Sequence, residues 1–195
     1  MSRTRTFIAV EIDAGIRHNA QMLQQKLEQV SSGIRWASAE TLHVTLLFLG
    51  DVEDRHLSRL CREVETAVHT IPSFVVHIAG LGAFPDLRRP KVIWAGVRQG
   101  HQQLQTVHQA IATRLIPAGL YQAENRPYTP HLTLGRVPPH VPTPELSREL
   151  LKRARWEGGS TLIHQVVVFA SQLHRHGPVH TPLCRAPLAT PQPTS

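Results

Sequence analysis

The stretch Leu42-His43-Val44-Thr45-Leu46-Leu47-Phe48-Leu49-Gly50 returns in shortened form as Pro130-His131-Leu132-Thr133-Leu134-Gly135-Arg136, and both copies read His-x-Thr-Leu. The apolar residues around each pair favour a strand. A period of two then places His and Thr on one face and Val44 and Leu46, or Leu132 and Leu134, on the other. Each copy presents an imidazole beside a hydroxyl. Two such strands brought together across a cleft surround one space with two groups that titrate near neutral pH and two hydroxyl donors, an arrangement suited to in-line displacement at a phosphate.

The remaining elements are read around these strands. Phe7 to Ile12 reads as a first strand, and Ile16, Ala20, Leu23, Leu27 and Val30 form a stripe at helical period, with Gly33 as its stop. Arg35-Trp36 leads into the first His-x-Thr strand, which Gly50-Asp51 ends. A second helix starts at about Asp54, with Leu57, Leu60, Cys61, Val64 and Val68 inward. Phe74–Leu81 and Lys91–Val97 read as strands joined by the basic loop Gly82–Pro90, a candidate border for a site. A third helix from His101 turns Leu104, Val107, Ile111 and Leu115 inward and closes at Pro117-Ala118-Gly119. The prolines of Arg126-Pro127-Tyr128-Thr129-Pro130 restrict the residues before them and stiffen the approach to His131. Thr143-Pro144-Glu145 starts a short helix to Ala154. Thr161–Ala170 and Val179–Arg185 read as the last strands, and Pro187–Ser195 as a disordered tail.

Strand, helix, His-x-Thr strand, helix and strand are thus followed by a similar set, an internal duplication carried by the motif and the element order. The expected fold is α+β: one bilobal, pseudo-twofold domain over residues 1–186, antiparallel-rich sheets lining a central cleft, helices outside.

Composition narrows the partner. The 195 residues carry 21 Lys+Arg against 14 Asp+Glu, a formal charge of +7 that suits an anion such as RNA. Cys61 and Cys184 are too few and too far apart to suggest a disulfide framework or a four-ligand zinc site, and Cys61 reads as a small buried residue. No apolar run approaches the roughly 20 residues that span a bilayer, and no signal peptide is evident. A cytoplasmic protein is expected.

With its two motifs the chain resembles the 2H phosphoesterase superfamily, and within it the RNA 2′,3′-cyclic phosphodiesterases, also called 2′-5′ RNA ligases. The likeness runs from about Thr6 to Leu188. It takes in Phe7-Ile8-Ala9-Val10, Trp36, Glu40-Thr41-Leu42, Phe48-Leu49-Gly50, Arg89 to Val97, and Arg126-Pro127-Tyr128. The resemblance implies a metal-independent enzyme without cofactor, acting on RNA ending in a 2′,3′-cyclic phosphate and leaving a 2′-phosphate, with reversible 2′-5′ ligation as a side reaction. By position it makes His43 the proton donor to the leaving O3′ and His131 the proton acceptor from water. Thr45, Thr133 and Arg136 would bind the phosphoryl oxygens and Phe48 would stack on the base. The expected partner is RNA, with no membrane, and the expected state a monomer. Departures are Gly135 and a segment at Ala170-Ser171 less basic than in many relatives.

Each assignment has a plainer rival. Thr45 and Thr133 are also good strand formers, Arg136 could serve a surface ion pair, and Phe48 and Trp94 could be core. His174, Arg175, His176 and His180 could suggest a metal site, but without a flanking carboxylate they read as solvated. Two further functions compete: a related enzyme on another cyclic phosphate or a 2′-5′ oligonucleotide, and a non-catalytic RNA-binding module.

Overall fold

The computed structural model describes residues 2–123, 125–175 and 177–190. In chain order the elements are β1 (Arg3–Glu11), α1 (Ala14–Glu28), β2 (Arg35–Trp36), a 3-10 turn (Ala39–Thr41), β3 (His43–Glu53), α2 (Asp54–Val68), β4 (Phe74–Phe84), β5 (Val92–Gln99), α3 (His101–Leu115), β6 (His131–Arg136), α4 (Pro144–Lys152), β7 (Glu157–Ile163), β8 (Gln165–His174) and β9 (Gly177–Pro187). Among the described residues no helix is long and apolar enough to cross a membrane, which says nothing of strands.

The strands pair antiparallel in the order β7-β4-β5-β6-β3-β1-β8-β9, with the two-residue β2 on β6 beside this path. The two lobes are therefore arms of one curled sheet. They meet where β3 pairs β6 through Val44 and Leu132, the two residues between the His and Thr of each motif. The pseudo-twofold axis passes through this pair. On the His43 side lie β1, β8 and β9; on the His131 side lie β5, β4 and β7. The lobes do not follow the two sequence sets in order: β4, the fifth element of the first set, belongs to the His131 arm, and the His43 arm takes β8 and β9 from the C-terminal end.

Helices cover the core side. Asp13 caps α1 by accepting from the Ile16 amide at 3.2 Å, and Ile16, Ala20, Leu23 and Leu27 are buried. The helix ends at Glu28, so Val30, expected inside, is exposed. Leu60, Val64 and Val68 of α2 and Leu104, Val107, Ile111 and Leu115 of α3 are fully buried.

Two segments depart from their expected structure. The apolar run from Thr161 to Ala170 is two strands on opposite arms, broken at His164, because the curl of the sheet brings the end of β7 close to the start of β8. Pro187, Leu188 and Ala189, expected in the disordered tail, belong to the fold, Pro187 as the last residue of β9. Leu188 is buried and its amide donates to the His164 carbonyl at 2.9 Å, while Ala189 bridges Pro72 through bonds to Ile71 and Ser73 at 2.8 and 2.9 Å. An apolar residue with satisfied backbone groups is part of the fold. Residues 191–195 lie outside the described residues.

Candidate active site

Both motif strands leave Val44, Leu46, Leu132 and Leu134 in the core and turn His43, Thr45, His131 and Thr133, all half-buried, to the cleft. Extending the Val44–Leu132 register by one residue each way sets His43 across from Thr133 and Thr45 across from His131. As cross-strand diagonal neighbours the two histidines are roughly 7–8 Å apart, somewhat less at Cβ, a span that fits a phosphate between their rings.

Simple alternation would send Phe48 and Arg136, each five residues after its histidine, to the core face. Two bulges prevent it. Thr45 pairs with Ala9 and Leu47 with Ile8, leaving Leu46 unmatched; Thr133 pairs with Trp94 and Gly135 with Ile93, leaving Leu134 unmatched. One extra residue at the same place in each strand returns the fifth position to the cleft, a frequent use of bulges beside active sites. Phe48 is 58% exposed, with its ring 6.3 Å from Phe7, and Arg136 is exposed at the other end of the cleft. Gly135 has a direct cause. A Cβ there would lie 2.6 Å from the Trp36 ring, whose Nε1 donates to Glu28 at 2.7 Å.

The histidines are oriented alike. His43 Nδ1 lies 2.6 Å from the Thr41 carbonyl, and His131 Nδ1 lies 2.8 Å from the Thr129 carbonyl. A carbonyl only accepts, so each Nδ1 carries a proton and each Nε2 is the acceptor nitrogen of its ring. His43 Nε2 is 3.0 Å from Thr45 Oγ1. The full repeat is therefore Thr-x-His-x-Thr, with Thr41 and Thr129 as the first threonines, a spacing visible in the sequence.

Aromatic side chains wall both rings: Phe7, Phe169 and Trp94 from strands, and Phe84 from the segment expected as a loop bordering a site, which is the end of β4. Phe7 stacks on His43 at 4.8 Å and on Phe169 at 5.2 Å, while Phe84 meets His131 edge-on at 5.1 Å with Trp94 at 6.2 Å. Trp94 fits because Gly82 has no Cβ, which would fall 2.2 Å from the indole. Burial pushes the His43 imidazole down to about 4; the Thr41 carbonyl opposes this, and His180 and His131 add to it. His131 is also lowered, by burial first and then by Arg136, against the Thr129 carbonyl. Both rings are neutral at pH 7 in the free protein.

Three more residues bind the elements of the site together. Tyr128 donates to the Thr45 carbonyl at 2.9 Å, tying the proline-rich approach of one motif to the strand of the other. The buried Gln24 amide donates to the Ala37 and Leu134 carbonyls, both at 2.9 Å. His180, read as solvated, is half-buried in the cleft, 5.5 Å from His43 and 4.8 Å from Phe7, because β9 pairs with β8 and turns that position inward. His174 is exposed and His176 lies outside the described residues. Among the described residues no group of three or more His, Cys, Asp or Glu is placed to hold a metal ion.

The profile of the 2′-5′ RNA ligase superfamily matches residues 16–175. The chain belongs to this superfamily. Other proteins similar to this 2′-5′ RNA ligase superfamily member include the RNA 2′,3′-cyclic phosphodiesterase of Archaeoglobus fulgidus, 30% identical over 92% of this chain and 97% of that protein. The protein of the same name from Methanothermobacter thermautotrophicus is 29% identical over 92% of this chain and 96% of its own length. Among solved structures, E. coli LigT complexed with 3′-AMP superposes with a TM-score of 0.76 at 26% identity, covering 96% of this chain and 99% of that one. TT0787 of Thermus thermophilus shares the fold at a TM-score of 0.77 and 23% identity, over 94% and 97%. The bilobal α+β architecture is thus the superfamily's own.

Proposed function

We propose that this protein hydrolyses a terminal 2′,3′-cyclic phosphate of RNA to a 2′-phosphate by acid-base catalysis between His43 and His131. The observation that carries this reading is the paired orientation of the two imidazoles: each Nδ1 is held by a carbonyl two residues upstream, which leaves each Nε2 as the acceptor nitrogen, His43 Nε2 beside the Thr45 hydroxyl. The names of the relatives from Archaeoglobus and Methanothermobacter support the substrate class.

In the proposed step, neutral His131 Nε2 takes a proton from water as its oxygen bonds to phosphorus. The P–O3′ bond breaks on the opposite side and His43 Nε2 delivers a proton to O3′. Thr45 and Thr133 hydroxyls and the Arg136 guanidinium hold the non-bridging oxygens, where fixed donors act without reorganisation. Phe48 offers a face to the base. Burial disfavours the protonated His43 that a donor must be; a phosphate monoanion beside Nε2 reverses this, since an opposite charge within about 4–6 Å raises such a pKa by roughly 1–3 units. With a 5′-hydroxyl in place of water, the same path makes a 2′-5′ linkage.

The test is incubation of RNA ending in a 2′,3′-cyclic phosphate, in chelator, with identification of the terminal phosphate. The unmutated protein should leave a 2′-phosphate. His43→Ala and His131→Ala should each lose on the order of 10²–10⁴-fold in rate, with the double variant little worse. A 3′-phosphate product, or a single variant near full activity, refutes the assignment. Turnover of mononucleotide cyclic phosphates alone would move the substrate to another cyclic phosphate.

A further inference from the structure

The pseudo-twofold makes Phe48 and Arg136 counterparts, each returned to the cleft by the same bulge, yet one is aromatic and the other cationic. The two ends of the cleft therefore differ in chemistry. At the Arg136 end stands a residue with no part in the site so far: β2 pairs β6 with Arg35 directly opposite Arg136 and Trp36 opposite Gly135. The Trp36 ring packs where a Gly135 Cβ would go, and Trp36 adjoins the core. Arg35 and Arg136, one residue along, therefore share the cleft face, where both are exposed.

Like charges directly opposite on antiparallel strands are destabilising, their Cβ atoms about 5 Å apart. No described residue relieves this pair. Among the described residues neither guanidinium has an ion pair or a side-chain hydrogen bond. Glu28, close in sequence, directs its carboxylate oxygens to the Trp36 indole and the Gly33 amide. Two unneutralised guanidinia one strand spacing apart, at the end of a cleft centred on one phosphate, suit a second phosphate.

We infer that Arg35 and Arg136 form an anion clamp, Arg136 on the terminal phosphate and Arg35 on the phosphodiester next to it in the RNA chain. This rests on the function proposed above and gives the substrate a direction: the terminal base lies towards Phe48 and the preceding chain leaves over β2. Arg35 is a positioning and specificity residue that favours oligonucleotides over mononucleotides.

The deciding experiment compares a trinucleotide ending in a 2′,3′-cyclic phosphate with the matching nucleoside 2′,3′-cyclic phosphate, for the unmutated protein, Arg35→Gln and Arg35→Lys. In Arg35→Gln, kcat/KM should fall roughly tenfold more on the trinucleotide than on the mononucleotide, mainly through KM. Arg35→Lys should recover much of it. The salt slope on the trinucleotide should drop by about 0.7, one phosphate contact on a single strand. The melting temperature of Arg35→Gln should hold or rise, because a like-charge opposition is removed. Equal losses on both substrates, a lysine no better than glutamine, or a fall in melting temperature overturns the clamp. If the unmutated protein turns over neither substrate, the functional proposal fails. Binding of a trinucleotide carrying a 2′-phosphate then decides the clamp alone, and equal affinity of unmutated protein and Arg35→Gln removes it.

Discussion

His43 and His131 share one hydrogen-bonding device and differ in their walls, and burial lowers the pKa of both. The sign of the pH dependence follows. A rate that needs one ring protonated and the other neutral falls at low pH as the acceptor is protonated, and falls at high pH as the donor is lost. Since His43 is drawn to about 4 and His131 also lies below the usual 6.5, kcat/KM, which reports the free protein, should peak below pH 6.5 and decline above it. The kcat profile should be displaced upward, because bound phosphate anion favours both protonated rings. A kcat/KM flat from pH 6 to 8 would remove the pair from the acid-base role. The profile does not depend on which ring is the donor; product and variant analysis with a substrate bearing a better 3′ leaving group does. Donor loss, in His43→Ala, should be the deficit such a leaving group relieves.

At the scale of the element, the bulged strand is the unit of design. Each motif strand needs a partner whose register skips one residue, and the missing side chain at Gly135 leaves room for the Trp36 ring against β6 at that point. Gly135→Leu should destabilise the protein by roughly 1–3 kcal/mol through overpacking against Trp36, read from urea unfolding. It should also weaken substrate binding, because Arg136 follows directly. A neutral substitution would mean that β2 can detach from β6 at no cost. Tyr128 shows the same logic across elements, its hydroxyl on the Thr45 carbonyl joining the approach to β6 with the body of β3.

For the whole molecule, the curl of the sheet decides what counts as interior. The ends of the two arms are joined by His164 in one direction and by Leu188 and Ala189 in the other, so a segment with the composition of a tail closes the seam beside β4. Leu188→Ala should cost about 2 kcal/mol of unfolding free energy. A change under about 0.5 kcal/mol, the usual range for surface positions, would make the segment an accessory.

The local content of this fold was legible because it is periodic. The stripes Ile16, Ala20, Leu23, Leu27 and Leu104, Val107, Ile111, Leu115 needed only a period of 3.6, and the motif strands only a period of two. The candidate site was legible because its polar pairs repeat within such strands. Partner-dependent features were not. A bulge is a mismatch between two strands, so the return of Phe48 and Arg136 to the cleft has no trace in either strand alone. The break at His164 lies inside an apolar run that satisfies a strand on either side. His180 enters the cleft, and Arg35 faces Arg136, only through registers with residues far away in the chain. Local sequence thus determined which segments are helices or strands and which residues could carry the chemistry, because side-chain period and type are local. Tertiary structure alone decided which segments share an arm, which side chains meet at the site and how far their protonation is shifted, because pairing, burial and desolvation depend on residues brought from elsewhere in the chain.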